Sequence, residues 1–98
     1  MKAYLLAEIE VTDPETYKQY MPLAAAAITA FGGRYLVRGG EAEPLEGDHA
    51  PRRTVLLEFE SLERAREFFH SPQYQAAASI RRKCSRGRIV LFPGAQPP

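Results

Sequence analysis

Leu6-Ala7-Glu8-Ile9-Glu10 returns fifty residues later as Leu56-Leu57-Glu58-Phe59-Glu60, each time just ahead of a helix-like pattern. A second echo closes each half, Gly33-Arg34-Tyr35-Leu36-Val37 against Gly87-Arg88-Ile89-Val90-Leu91. The chain therefore reads as a duplicated strand-helix-strand unit.

Between these echoes the periodicities agree with that frame. Residues Tyr4 to Val11 alternate, with Leu5, Ala7, Ile9 and Val11 on one face and Tyr4, Leu6, Glu8 and Glu10 on the other, the signature of a strand. Thr12-Asp13-Pro14-Glu15 supplies a helix start: an oxygen-bearing cap, a proline in the first turn and an acid near the positive end of the dipole. Tyr17, Tyr20, Met21, Ala24, Ile28 and Phe31 form its apolar stripe, Pro22 predicts a bend, and Gly32-Gly33 ends it. Arg34 to Arg38 is the second strand. Gly39 to Arg53 is too polar and too rich in glycine and proline for a packed element, and a loop of that length is a natural place for a site. Thr54 to Glu60 is the third strand. Ser61 caps a second helix whose stripe of Leu62, Ala65 and Phe69 breaks at Ser71-Pro72 and resumes through Tyr74, Ala77 and Ala78, with Arg81 at its end. Arg88 to Phe92 is the last strand, and residues 93–98 read as a flexible tail.

Two such units fold most economically as an α+β, ferredoxin-like βαββαβ sandwich: a four-stranded antiparallel sheet with both helices on one face, the first and third strands central. At 98 residues this is a single domain, residues 1–98, with a stability margin of about 5–10 kcal/mol. Parity sends Leu5, Ala7, Ile9, Tyr35, Val37, Val55, Leu57, Phe59, Ile89 and Leu91 toward the helices. The opposite face receives Tyr4, Leu6, Leu36, Leu56, Val90 and Phe92, an apolar patch with no element left to cover it. We therefore expect a homodimer through the helix-free sheet face, assembling as a dimeric α+β barrel. The same face carries Glu8 and Glu58, with Arg34, Arg38 and Arg88 as expected ion-pair partners; paired carboxylates also suit acid/base work.

Composition removes several classes. A net charge of +1 with mixed signs offers no phosphate-binding field, so no nucleic acid is expected, and an RNA-recognition module would need stacking aromatics on the sheet where Leu56 and Glu58 stand. No apolar run approaches the ~20 residues of a membrane span, and Met1-Lys2-Ala3-Tyr4 enters a strand pattern without a signal-peptide core, so the expected compartment is the cytoplasm and no membrane contact is expected. Cys84 is the lone cysteine and reads as a surface thiol. His49 and His70 lack a third ligand at metal-binding spacing, so no metal and no cofactor are expected.

The candidate site residues follow from chemistry. His49 beside Asp48 in the long loop is suited to moving a proton, as is Glu58. His70, at the helix break, is placed to cap carbonyls. Tyr17, Tyr35 and Tyr74 lie on core-facing stripes and can line a cavity between sheet and helices. Arg38 and Arg53 flank the loop and suit a carboxylate clamp, or ion pairs with Glu46 or Asp48.

Leu36-Val37-Arg38-Gly39-Gly40, Leu45-Glu46-Gly47, Arg53, Glu58-Phe59 and Ser71-Pro72-Gln73-Tyr74, in this order across the chain, resemble the domain of unknown function 1330 family, similar in fold to the dimeric α+β barrels. The resemblance implies a homodimer and no established activity; the wider superfamily includes cofactor-independent monooxygenases, small lactone isomerases and haem-degrading enzymes. Two functional readings follow. One is a small cofactor-independent enzyme acting on an apolar or aromatic carboxylate-bearing metabolite, with His49 and Glu58 catalytic and Tyr17, Tyr35, Arg38, Arg53 and Tyr74 binding the ligand. The other is a non-catalytic dimeric small-ligand-binding or accessory protein.

Overall fold

The computed structural model of the chain describes residues 1–48 and 52–95. Strand β1 (Ala3–Val11) is followed by helix α1 (Pro14–Ala30), strands β2 (Arg34–Gly40) and β3 (Arg53–Phe59), helices α2 (Leu62–His70) and α3 (Pro72–Cys84), and strand β4 (Ser85–Pro93). The sheet is antiparallel in the order β2-β3-β1-β4. The repeated pentapeptides thus lie side by side at its centre, Leu6 opposite Leu56 and Leu5 opposite Leu57. This is the α+β, ferredoxin-like arrangement that the duplication predicts.

Helix starts follow the local chemistry. Asp13 accepts from the Thr16 amide at 3.3 Å, Ser61 accepts from the Arg64 amide at 3.1 Å, and Pro14 sits where its missing N–H costs nothing. Helix α1 runs through Pro22 to Ala30, and Gly32, at φ +75, turns the chain so that the Gly33 amide donates to the Ile28 carbonyl at 2.9 Å. The predicted break at Ser71-Pro72 separates α2 from α3. His70, expected to cap there, is exposed and sets its ring edge-on to Phe69. The capping is done instead by Ser71, whose hydroxyl donates to the Phe68 carbonyl at 2.7 Å and accepts from the Tyr74 amide at 3.0 Å, and by Gln75, whose side chain donates to the Phe69 carbonyl at 2.6 Å. A short hydroxyl held inside the joint reaches both helix ends, which the outward imidazole does not.

Between sheet and helices, Leu5, Leu57 and Phe59 pack against Ala24, Ala27 and Ile28 of α1, Ala65 and Phe68 of α2, and Tyr74, Ala77 and Ala78 of α3. Phe59 and Phe68 stack at 5.0 Å between centroids; each buried ring contributes on the order of 2–3 kcal/mol. Alanines where α1 meets α3 let the two helices approach closely. Cys84 belongs to this interior rather than to the surface: it is 0% exposed, touches the cluster of Ala7, Ile9 and Tyr17, and donates to the Ile80 carbonyl at 3.3 Å. Burial pushes its thiol up. Two residues of the predicted flexible tail are tied to the sheet: Pro93 closes β4, and Gly94 donates to the Lys2 carbonyl at 2.8 Å. Residues 96–98 lie outside the described residues.

Strand β2 departs from simple alternation. Tyr35 pairs with Leu57 and Val37 with Leu56, so two residues of β2 advance against one of β3; a second irregularity at Gly39 separates the pairs Arg38–Val55 and Gly40–Thr54. One extra residue reverses the facing of all that follow. Val37, predicted to face the helices, is therefore on the helix-free side and 39% exposed, and Arg38, predicted among the charges of that side, turns toward the helices with Val55.

Candidate functional site

The reversal of β2 brings Arg38 to a cavity of about 50 Å³ between the sheet and helices α1 and α3. Its apolar walls include Leu5, Leu57, Ile28 and Phe68; its polar lining is Tyr17, Tyr20, Tyr35, Tyr74, Arg38, Arg53 and Arg81. All five predicted ligand-binding residues, Tyr17, Tyr35, Arg38, Arg53 and Tyr74, thus line one space. Tyr17, Tyr20 and Tyr74 reach it because helical spacing turns them to the sheet, whereas Tyr35 and Arg53 lie on the inward face of their strands.

The Arg38 guanidinium stacks on the Tyr35 ring at 4.1 Å, and that of Arg53 lies 5.8 Å from the Tyr17 ring centre. Tyr20 and Tyr74 share a hydroxyl-hydroxyl hydrogen bond of 2.8 Å. Burial raises the Tyr17 phenol, a shift that neighbouring Arg53 only partly offsets. Tyr35 is likewise raised by burial against the pull of Arg38 and Arg53, and Tyr20 is pushed far up by burial and by Tyr74. These hydroxyls accordingly stay protonated near neutral pH and present themselves as donors.

Among the described residues no acidic side chain lines the cavity, and Arg38, Arg53 and Arg81 have no carboxylate within ion-pairing distance. The alternative role of Arg38 and Arg53, pairing with Glu46 or Asp48, is therefore not what the structure has. The Nε atoms of Arg53 and Arg81 are buried without a hydrogen-bond partner. Buried guanidinium N–H groups left unpaired are costly, and an anion in the cavity relieves that cost. Sequence reading missed Tyr20 and Arg81 as site residues. Both sit on the apolar stripes of their helices, and the signal was a charged residue continuing such a stripe at Arg81.

Of the two residues expected to move protons, Glu58 stands apart from this space. Glu58 is on the helix-free face, where its carboxylate accepts from Arg34 at 2.8 Å and from the Tyr4 hydroxyl at 3.1 Å. Burial tends to raise its carboxyl, but the hydrogen bonds from Tyr4 and Arg34 outweigh it and hold the group below the usual range. A Glu58 ionised and engaged in this way does not join Arg38 and Arg53 at a common ligand, because successive strand positions point to opposite faces. Glu8 pairs with Arg88 at 2.8 Å on the same face. Since Glu58 is opposite Tyr4 and Glu8 is four residues further along β1, the two carboxylates are about 13 Å apart in register and do not act as a couple. His49 lies outside the described residues. Among the described residues no group of three or more His, Cys, Asp or Glu is arranged to hold a metal ion, and no helix is long and apolar enough to cross a membrane.

Solved structures share this fold. The chain is similar to a protein of unknown function from Rhodopseudomonas palustris, RPA0582, at 17% identity and a TM-score of 0.77, over 98% of this chain and 84% of that one. It is similar to SnoaB, a cofactor-independent oxygenase from Streptomyces nogalater, at 15% identity and a TM-score of 0.67, over 98% and 95% of the two chains. A dimeric ferredoxin-like protein of unknown function from Thermobifida fusca aligns at 16% identity and a TM-score of 0.64, over 94% and 90%. At these identities the likeness speaks for the fold alone. No curated protein is matched by the sequence. The family described as a domain of unknown function, DUF1330, matches residues 2–95, and the chain belongs to it.

Proposed function

We propose that this protein is a cytoplasmic homodimer that binds a small amphipathic anion, an apolar or aromatic metabolite bearing a carboxylate, in the cavity between its sheet and helices. The supporting observation is the pairing of an apolar chamber with arginines that have no carboxylate partner. In this reading Arg38 and Arg53 hold the acid group, Tyr17, Tyr35 and Tyr74 donate hydrogen bonds, and the apolar walls take the body of the ligand. The cavity has room for only a few waters, so a ring-sized ligand enters by displacing the exposed Arg38 side chain from Tyr35. The dimer reading rests on Leu36, Val37, Val90 and Phe92, exposed together on the helix-free face, and on the dimeric neighbour of the same fold. The compartment rests on the lone cysteine and the lack of a long apolar run in the sequence.

The test is a thermal-shift and calorimetric screen of aromatic and short-chain carboxylates. Binding that weakens at least tenfold in Arg53→Ala supports the reading; no binding by any member, or binding indifferent to Arg38→Ala and Arg53→Ala, overturns it.

A catalytic version without cofactor is favoured by the Tyr20–Tyr74 hydroxyl pair, a two-member relay at the cavity wall, and by similarity in fold to a cofactor-independent oxygenase. In that version the tyrosines, with His49 from the adjoining loop, exchange the proton, and Glu58 serves the sheet face instead. Turnover of a bound ligand that falls in Tyr20→Phe while affinity holds would establish it.

A further inference from the structure

Resting on the anion-binding reading above, we infer that the ligand of this cavity carries two negative charges on its head group: a dicarboxylate or a phosphate monoester attached to an apolar body, recognised jointly by Arg53 of the sheet and Arg81 of helix α3.

The argument is one of charge and hydrogen-bond accounting. Elsewhere on the sheet each arginine with a side chain near a carboxylate is paired: Arg34 with Glu58, Arg86 with Glu10 and Arg88 with Glu8. The three unpaired guanidinium groups at the cavity are Arg38, Arg53 and Arg81, with no acid among the lining residues. A single carboxylate brings about four acceptor positions, which can face two guanidinium groups, but only one charge against the three cations. The two buried, unpartnered Nε atoms belong to different layers, Arg53 to β3 and Arg81 to α3. A head with two charges supplies a partner to each layer and bridges β3 to α3.

Geometry limits where that head sits. Arg53 lies against Tyr17, and Arg81 bears electrostatically on both Tyr17 and Tyr20. The basic end is therefore bounded by Tyr17, with Arg38 and Tyr35 beside Arg53. Leu5, Leu57 and Phe68 form the apolar remainder, which receives the body. Recognition by two cations from different layers also explains why a positive residue continues the buried stripe of α3, where an apolar residue would otherwise complete the core.

The experiment compares three probes with one aromatic body: 3-phenylpropionate as monoanion, benzylsuccinate as dicarboxylate and benzyl phosphate as phosphate monoester. Calorimetry is run on the full chain and on Arg81→Gln and Arg81→Lys, at fixed ionic strength and pH 7.5. We expect at least one dianion to bind tenfold or more tighter than the monoanion, the preference to shrink to about twofold in Arg81→Gln with monoanion affinity changed less than threefold, and Arg81→Lys to retain part of it. Preference for both dianions supports recognition by charge count, and preference for one alone identifies the head. Equal affinity for mono- and dianions overturns the inference while leaving the anion site standing. A dianion preference unchanged in Arg81→Gln overturns it as well, and binding of none of the three overturns the anion site itself. Circular dichroism of both variants verifies that α3 is intact.

Discussion

The Arg53 guanidinium occupies the space a Cβ on Gly39 would need: such a Cβ would stand only 2.6 Å from the Arg53 Cζ. Gly39 also sits at φ +77, the left-handed region that other residues enter at a cost. The bulge in β2 and the position of the cavity's central arginine are therefore one structural unit.

Gly39→Ala should lower stability by about 1–3 kcal/mol through backbone strain, and should also displace Arg53. Urea unfolding measures the first effect. Anion binding measures the second, and loss of affinity without the Arg53 displacement visible in a crystal structure would contradict the coupling.

The shared hydroxyl bond between Tyr20 and Tyr74 is suited to a double-mutant cycle. Tyr20→Phe and Tyr74→Phe should each destabilise the protein, and the pair should show a coupling of about 0.5–1.5 kcal/mol. Additive effects would mean that the bond contributes nothing in solution.

Glu58 gives a pH dependence of defined sign. Its folded carboxyl is held below the ordinary value of 4.5, so its contribution is present above that value and is lost as pH falls through the lower folded one. Wild type should therefore lose more stability than Glu58→Gln on acidification from pH 5 to pH 3. Parallel melting curves for the two proteins across that range would refute the ion-pair account.

Val90 and Phe92, 40% and 39% exposed on the helix-free face, carry the dimer proposal. The double substitution Val90→Asp with Phe92→Asp should leave a folded protein that sediments at half the mass of wild type. A wild type already monomeric at micromolar concentration would end the proposal.

Cys84 should react with an aromatic disulfide reagent orders of magnitude more slowly than free cysteine, at a rate that follows unfolding as denaturant is added, because its thiol is buried and raised in pKa. Rapid labelling in buffer would place it at the surface.

The duplicated pentapeptide made the strand order and the layer arrangement legible, since alternation and helical stripes are direct projections of burial. Tyr17, Tyr35, Tyr74 and Arg53 were readable as cavity residues for the same reason: each keeps the parity or period of its element. Arg38 reached the right list with the wrong facing. Parity counts assume an unbroken ladder, and nothing in Leu36-Val37 announces a bulge; only Gly39-Gly40 hints at irregular backbone. Cys84 was obscured by its neighbours, because Lys83, Arg82 and Ser85 make the end of α3 look solvated although every third or fourth residue turns inward; Arg81 was placed on the inward stripe but not assigned to the cavity. Glu58 was read onto the right face and with the right partner, Arg34, but its distance from Glu8 was not legible, because sequence spacing says which face a residue shares and not how far along the strand its companions lie.

Ser71 binds the end of one helix and the beginning of the next through a single oxygen. Neither α2 nor α3 can then fray at the joint alone, for releasing Phe68 also releases Tyr74. Amide exchange in the two helices should thus report a common opening event, and access to the chamber beneath them becomes a question of how often one concerted fluctuation occurs.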